Sequence, residues 1–257
     1  MNKVSQFYRD NGYYVAKGVF STDEFRDMER DFDRIVSQLM ASKEQINARW
    51  GGSAMERIGA QTTEVIHTHH VQHYSAVWTR VLLNERLLDI TEQLIGPNII
   101  LHHTKLFQKP PQKGAPFPMH QDWNYFPTIK DTMVAAIIHV SEATDEMGCL
   151  RIYPGSHKLG RMIDSSGTSA EFAEKYPLDG ATIIEAEPGD VVFFHYFTLH
   201  GSKPNVSTKT RKTMLAQFYA GDDQIEPGFN DHGTDQRLTL RGWNFATTRQ
   251  RAWAERA

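Results

Sequence analysis

The sequence predicts a mainly β protein with flanking helices, in which the strands form an antiparallel sandwich or jelly roll. From about Ile99 onward, short runs rich in β-branched and aromatic residues are separated by turn residues such as Pro, Gly and Asn. This part of the sequence has no regular strand–helix–strand alternation, which argues against a doubly wound parallel sheet. The predicted strands are residues 99–107, 133–140, 150–153, 182–185, 191–194 and 213–219.

The first third of the chain is predicted to be helical. Ser21-Thr22-Asp23-Glu24 has the form of a capping box, in which the Ser and Glu side chains satisfy free amides at a helix start. Apolar residues then recur at helical spacing and predict one buried stripe of Phe25, Met28, Phe32, Ile35, Val36 and Leu39. A second helix is predicted over about residues 85–94, capped by Asn84 and stopped at Gly96-Pro97.

The length of 257 residues suits one domain with a sizeable core. We expect a single domain over residues 1–257, in which N-terminal helices (1–98) pack on a β core (99–220) that a C-terminal segment (221–257) follows. The start of the chain lacks a signal-peptide pattern, and no apolar run approaches the roughly 18–20 residues that span a bilayer. We therefore expect a cytoplasmic protein that does not bind membranes.

Charge and cysteine content exclude several kinds of function. Lys plus Arg (28) nearly balance Asp plus Glu (31), which argues against a nucleic-acid binder with a basic face. The single cysteine, Cys149, excludes a disulfide within the chain and a thiolate-only metal site. Because the chain has 12 histidines, any metal is expected to be held by imidazole and carboxylate. The sequence leaves the oligomeric state open.

The triplet His120-Gln121-Asp122 is the most informative motif. Residues two apart on a strand point to one face, so we expect His120 and Asp122 to converge. With a second histidine they form the two-His, one-carboxylate triad that leaves open positions on non-haem iron. His200, expected at the end of a strand, is the candidate. His195 and His157 are the rival ligands, and we expect both to be structural.

Arg211 follows His200 by 11 residues and is expected to begin a strand alongside that of His200. A buried Arg near a metal is costly unless an anion meets it. A bidentate pair with a substrate or cosubstrate carboxylate is therefore expected. An ion pair with Asp190 or Glu185 is the alternative.

Together, these motifs resemble the phytanoyl-CoA dioxygenase family. They are His120-x-Asp122, Gly148-Cys149-Leu150 followed by Pro154-Gly155-Ser156-His157, Pro188-Gly189-Asp190, His200 and Arg211, and the opening Phe7-Tyr8-Arg9-Asp10-Asn11-Gly12-Tyr13. The family comprises Fe(II)- and 2-oxoglutarate-dependent oxygenases on a double-stranded β-helix, a cupin-like jelly roll. The resemblance spans most of the chain and implies that fold.

The resemblance also implies Fe(II), 2-oxoglutarate and O2 as cofactors and cosubstrates. In this interpretation His120, Asp122 and His200 hold the iron, and Arg211 pairs with the far carboxylate of 2-oxoglutarate. Ser202, Lys105 and Ile137 are expected to line the cosubstrate pocket. Related halogenases have a small residue in place of the carboxylate, so Asp122 favours hydroxylation or another oxidation at a C–H bond, with succinate and CO2 as products.

The substrate is expected to be a small molecule. Trp123, Asn124 and Tyr125 directly follow the His-x-Asp motif and are expected to border it, with core packing as the alternative for Trp123. Two other functions stay open: a metal-dependent cupin enzyme that does not use 2-oxoglutarate, and a non-catalytic metal-binding jelly roll.

The densest histidine cluster, residues 67–73, invites a second metal site. His69 and His73 would share a helix face at i, i+4 spacing. We expect a polar wall of the substrate entrance or a solvated helix face instead, because no carboxylate follows at a matching position. Lys109 and Arg151, near strand ends, are expected to be solvated.

Overall fold

Two antiparallel β-sheets and a set of helices form the structure, a computed structural model that describes residues 3–42, 65–163, 169–229 and 234–248. Its helices are α1 (Lys3–Asn11), α2 (Thr22–Ser42), α3 (Ala76–Leu82), α4 (Glu85–Ile95), α5 (Ala170–Lys175) and α6 (Phe245–Thr248). Its strands are β1 (Tyr13–Ala16), β2 (Ile66–His69), β3 (Ile99–Lys109), β4 (Phe117–His120), β5 (Val134–His139), β6 (Leu150–Ile152), β7 (Thr182–Ile184), β8 (Val191–His195), β9 (His200–Ser202), β10 (Arg211–Ala220) and β11 (Leu238–Arg241).

The larger sheet has the order β1-β8-β5-β10-β3-β11, and β2 also pairs with β3. The smaller sheet has the order β4-β9-β6-β7. Apolar side chains of β6 and β7 pack against those of β5 and β8, so the two sheets close on one another. The predicted fold class, mainly β with the architecture of a jelly roll, is confirmed. The six predicted strands are all present, each ending within two residues of its predicted bounds.

Both predicted helices begin as their caps indicate. The Glu24 carboxylate accepts from the Ser21 amide and hydroxyl, each at 2.7 Å. The Asn84 side chain accepts from the amides of Arg86 and Leu87 at the start of α4. The stripe of α2 is buried at Met28, Phe32, Ile35 and Val36, with Phe25 and Leu39 half-buried beside them. None of the described helices combines the length and the apolar character that crossing a bilayer requires.

The larger sheet carries helices on one face and a cavity on the other. Along β10, Met214, Ala216 and Phe218 belong to the core that the helices cover. The alternate residues Arg211, Thr213, Leu215 and Gln217 line the cavity. Because successive side chains of a strand point to opposite faces, one strand serves both the core and the cavity.

The sequence prediction missed β1, β2 and β11, gave no bounds for β4 and β9, and missed one irregularity. β1 and β2 lie in the segment predicted as helical. In the larger sheet, β1 pairs with β8 at the edge and β2 pairs with β3. In β3, Gln217 opposes His103 whereas Phe218 opposes Leu101, so His102 is an extra residue in a β-bulge. The single-domain organisation over residues 1–257 stays a prediction.

Candidate active site

A cavity of about 370 Å³ lies between the two sheets. The larger sheet provides its floor through β2, β3, β5, β8 and β10, and the smaller sheet contributes residues of β4, β6 and β9. Volumes of about 300–1,000 Å³ are typical of small-molecule sites. His120, Asp122, His200 and Arg211 all line this one cavity. The four residues that the sequence motifs single out are therefore brought together.

His120 and His200 lie directly opposite each other on the antiparallel strands β4 and β9. Opposed residues of such a pair project from the same face, and the centroids of the two imidazole rings are 4.2 Å apart. The expectation that His200 ends a strand is wrong. The chain turns after β8, and His200 begins β9, which is why it can pair with His120.

Asp122 lies two residues beyond the end of β4, so the expected common strand face with His120 is also wrong. A turn presents it instead. Its amide donates to the carbonyl of Tyr196 at 2.9 Å, and its carbonyl accepts from the amide of Tyr125 at 3.0 Å. Its Oδ1 lies 3.4 Å from Nε2 of His120 and 3.5 Å from Nε2 of His200. The three side chains therefore converge through a strand register and a turn.

In each imidazole ring, the hydrogen bond of Nδ1 determines which nitrogen is left for a metal. Nδ1 of His120 lies 2.8 Å from the carbonyl of Pro118, and Nδ1 of His200 lies 2.9 Å from the carbonyl of Thr198. A carbonyl only accepts hydrogen bonds, so Nδ1 carries the proton in both rings. In the neutral form of each ring Nε2 is then the unprotonated nitrogen, and it is directed at the Asp122 carboxylate, which is the arrangement in which histidines bind metals.

The electrostatics of the cluster favour its metal-binding protonation state. Burial raises the pKa of Asp122, but the neighbouring histidines and a 2.8 Å hydrogen bond from Nε2 of Gln217 lower it to about 2 overall. Burial and then the nearby His120 lower the pKa of His200 to about 4. At neutral pH the site therefore holds a carboxylate anion and a neutral His200.

The donor set fits a divalent transition metal. One ligand atom from each of His120, Asp122 and His200 lies within 4.8 Å of the others. Two neutral imidazoles and a carboxylate suit Fe(II) and related ions and leave other coordination positions for small ligands. Among the residues that the structure describes, this is the only group of three or more His, Cys, Asp or Glu side chains arranged in this way.

Arg211 begins β10, as expected, but the place of that strand differs. β10 pairs with β3 and β5 in the larger sheet, whereas His200 belongs to the smaller sheet. Arg211 therefore faces the cavity from the opposite wall.

The Arg211 guanidinium is buried without an anion. Nη1 donates to the carbonyl of Gly148, and Nε has no hydrogen-bond partner. No carboxylate of the described residues forms an ion pair with it, and Asp190 pairs with Lys17 instead at 2.8 Å. Burial lowers the pKa of Arg211 to about 10, which leaves it charged at neutral pH. A buried cation at a cavity wall without a counter-ion indicates an anionic ligand.

Lys109 was expected to be solvated, and this is wrong. It lies opposite Arg211 on β3 and is fully buried. Its Nζ donates to Oγ of Ser202 at 2.6 Å and to the carbonyl of Lys203 at 2.9 Å. Arg151 is also buried, in a bidentate pair with Asp145. A lone charged residue in a sequence does not reveal partners that distant segments supply.

Three further residues line the cavity as expected. Ser202 lies on β9 two residues after His200, and Lys105 and Ile137 oppose Leu215 from either side of β10. Gln217, which contacts Asp122, was not anticipated. The signal was present, because Gln217 follows Arg211 by an even number of residues on one strand.

The residues that follow the His-x-Asp motif separate in the structure. Tyr125 lines the cavity and is half exposed at its mouth. Trp123 packs with Phe126 against a buried cluster and is not a lining residue, which is the core-packing alternative. Asn124 is half-buried and does not line the cavity either.

The histidine-rich segment is not a helix. His67 and His69 lie on β2, and His70 has a left-handed conformation (φ 54°) before a single 3₁₀ turn, so the expected i, i+4 face does not exist. His69 lines the cavity, in agreement with a polar wall at its entrance. His195 and His157 lie outside the metal-type cluster and bind backbone carbonyls of Asp131 and Arg9, each at 2.9 Å.

The comparisons with known proteins agree with this geometry. The model of the phytanoyl-CoA dioxygenase (PhyH) family matches residues 8–213. A probable alpha-ketoglutarate-dependent hypophosphite dioxygenase of Stutzerimonas stutzeri is 28% identical over 247 residues, covering 91% of this chain and 84% of the relative. The peroxisomal phytanoyl-CoA dioxygenase of Rattus norvegicus is 27% identical over 235 residues, covering 84% and 68%. The crystal structure of EctD from S. alaskensis with bound Fe superposes with a TM-score of 0.74 at 22% identity, over 94% of this chain and 86% of that one.

Proposed function

The chain belongs to the phytanoyl-CoA dioxygenase family, and we propose that it oxidises a C–H bond of a small molecule, most simply by hydroxylation, at the site of His120, Asp122 and His200. The predicted family, the enzyme class of Fe(II)- and 2-oxoglutarate-dependent dioxygenase, and the cofactors Fe(II) and 2-oxoglutarate are confirmed. The observation that carries the proposal is one cavity with a His-Asp-His cluster on one wall and an unpaired buried Arg211 on the other.

In the proposed arrangement His120, Asp122 and His200 hold the iron. When bound there, Fe(II) with 2-oxoglutarate activates O2 for oxidation of the substrate, while 2-oxoglutarate is converted to succinate and CO2. Gln217 supports the metal end by donating to Oδ2 of Asp122, which leaves Oδ1 directed at the two Nε2 atoms. The retained carboxylate favours hydroxylation over halogenation.

Arg211 is proposed to bind the carboxylate of 2-oxoglutarate that lies farther from the iron. Its unpartnered Nε and its buried charge fit a carboxylate. Ser202 is proposed to add a hydrogen bond. Because its Oγ already accepts from Lys109, its own hydrogen is free to point into the cavity. Lys105 and Ile137 border the space between these two ends.

The named relatives act on different compounds, so their names leave the substrate open. One is named a probable hypophosphite dioxygenase, others are named phytanoyl-CoA dioxygenases, and another is named an ectoine dioxygenase. We propose Tyr125 as a contact of the substrate, since it lies on the cavity wall. A cytoplasmic location stays part of this proposal.

Binding measurements test the proposed function. Under anaerobic conditions, calorimetric titration should show one Fe(II) per chain and, once Fe(II) is present, one 2-oxoglutarate. We also expect slow succinate release in air that a true substrate accelerates. If 2-oxoglutarate fails to bind the Fe(II)-loaded protein, the proposal is wrong, and the alternative of a 2-oxoglutarate-independent or non-catalytic metal protein gains support.

A further inference from the structure

We propose that the substrate carries an oxyanion group, a carboxylate or a phosphorus oxyanion, and that His69, His103 and Lys105 receive it. This inference rests on the proposed function and names the class of substrate for that site. It concerns the wall formed by β2 and β3, which lies across the larger sheet from Ile137 on β5. We call these three residues the β2–β3 wall.

The β2–β3 wall is built by strand register. Lys105 opposes His69 on one side and Leu215 on the other. His103 lies two residues before Lys105 on the same strand face and opposes Gln217, the residue that contacts Asp122. The wall therefore adjoins the metal end of the cavity, and all three of its residues line the cavity.

His103 presents a polar atom to the cavity. The side chain is 5% exposed, and its Nδ1 lies 2.6 Å from Nδ1 of His102. Its one hydrogen bond to a described residue is that of Nδ1, and the ring lines the cavity beside His69, at 6.3 Å between centroids. Because an imidazole nitrogen can donate or accept, a ligand in the cavity can hydrogen-bond Nε2.

Lys105 adds a positive charge that the proposed cofactors do not cancel. The formal charges of Fe(II), Asp122, Arg211 and 2-oxoglutarate sum to zero, whereas Lys105 on the cavity wall and the buried Lys109 behind Ser202 are two further cations. Among the described residues no Asp or Glu lies within ion-pair distance of Lys105, although the Asp122 carboxylate attracts it from farther away. Its Nζ lies 4.7 Å from the ring centroid of Phe107. A mostly buried ammonium of this kind favours an anionic substrate.

The wall also differs from the cosubstrate end in accessibility. His69 is exposed at the cavity mouth, whereas Arg211 is buried at the far end of the cavity floor, opposite Lys109. A compound that arrives after 2-oxoglutarate meets His69 first. The cavity of about 370 Å³ would have to accommodate 2-oxoglutarate as well, which limits the enclosed part of the substrate to a small group.

The test is a calorimetric titration of the anaerobic Fe(II)- and 2-oxoglutarate-loaded protein. The probes are methylphosphonate and acetate, with acetamide as the neutral control of similar size. We expect at least one of the two anions to bind with a Kd at least tenfold lower than that of acetamide. Preference for methylphosphonate identifies a phosphorus oxyanion, and preference for acetate identifies a carboxylate.

Variants locate the binding. His69→Phe should raise the Kd of the preferred anion at least tenfold and change the Kd of 2-oxoglutarate less than threefold. Lys105→Met, at a residue that also borders the cosubstrate, should raise the Kd of the preferred anion at least tenfold. His67→Phe is the matched control, since His67 lies on the same strand but does not line the cavity, and it should leave both constants unchanged.

Three results overturn the inference. The first is that neither anion binds better than acetamide. The second is that the two wall variants bind the anion as the unaltered protein does. The third is that the anion competes with 2-oxoglutarate and loses affinity in Arg211→Ala. Failure of the proposed function is distinguishable, because 2-oxoglutarate then fails to bind before any probe is added.

Discussion

The two faces of strand β10 differ in what they require of their neighbours. On the helix-facing side, Met214, Ala216 and Phe218 are fully buried among apolar residues. On the cavity side, Arg211 and Gln217 are equally enclosed but carry polar atoms without partners. The side chains of the first face are fully packed by the protein itself, whereas the polar atoms of the second face need ligands as partners. Substitutions on the two faces should therefore damage different properties.

Loss of a metal ligand should have the largest effect on function and a small effect on folding. We expect His200→Ala to abolish Fe(II) binding and substrate-dependent succinate formation, because one of only three donor atoms is removed. Circular dichroism should remain that of the folded protein. His195→Ala is the matched control and should keep the metal. Iron retained in His200→Ala and lost in His195→Ala would reverse the assignment.

The opposite pattern is expected on the helix-facing side. Phe218→Ala should lower the free energy of unfolding by about 3–5 kcal/mol, since a large buried side chain is replaced by a cavity. Urea denaturation measures this loss, and the folded fraction should bind Fe(II) normally. Leu215→Ala, on the cavity side of the same strand, should cost less stability and raise the KM for 2-oxoglutarate. Equal stability losses would contradict the division between the faces.

Arg211→Ala should affect the cosubstrate specifically. Loss of one partner of a buried charge pair costs about 2 kcal/mol or more, which corresponds to roughly a thirtyfold higher KM for 2-oxoglutarate. Fe(II) affinity should stay the same, because Arg211 lies on the wall opposite the metal ligands. Arg151→Ala is the control, since Arg151 is buried in a pair with Asp145 and should influence stability only. An unchanged KM in Arg211→Ala would favour a metal enzyme that does not use 2-oxoglutarate.

A smaller effect is expected at Asp190, which does not line the cavity but contributes to stability against acid. Asp190, before β8, accepts from Lys17 at 2.8 Å and from the amides of Gly18 and Glu187 at 2.9 Å each. Burial raises the pKa of Asp190, but these hydrogen bonds outweigh it and lower the pKa overall. Asp190→Asn should therefore cost about 1–2 kcal/mol at pH 7.

The pH dependence of this contribution has a definite direction. Above an unfolded-state pKa of about 3.9 the carboxylate is charged in both states, and its stabilising contribution is fully present. As the pH falls through the lower folded-state pKa, the contribution is lost. Urea titrations at pH 7 and pH 3 should show the two proteins converging at the lower pH. A constant difference would mean that Asp190 acts through packing.

Much of this architecture follows from local sequence patterns. The caps at Ser21 and Asn84, the apolar stripe of α2 and the six strands of the β core need only short stretches of chain, and the structure has them. The candidate ligands were identified as a set because their residue types match one metal chemistry and because the surrounding motifs resemble those of one enzyme family. Their geometry was not predicted, because a turn presents Asp122 and because β10, with Arg211, lies in a different sheet from β9, with His200.

The remaining errors have a common physical origin. Lys109 depends on Ser202, which is 93 residues away, so no local pattern indicates its burial. The helix expected around His69 is excluded by the left-handed conformation of His70, a backbone choice that its neighbours do not encode. Contacts between distant segments decide these cases.

The extra residue His102 sets which side chains of β3 face the core and which face the cavity. Before the bulge, Ile99 and Leu101 belong to the helix-covered core, and after it the odd-numbered His103, Lys105 and Phe107 line the cavity. Removing His102 would put the two halves of the strand out of phase, so that one set of side chains would exchange core for cavity. Replacement of His102 would remove its contact with Nδ1 of His103, whereas its deletion would change which side chains of β3 face the cavity. We expect substitutions at this position to be tolerated better than insertions or deletions, because the residues that line the cavity depend on the number of residues in β3.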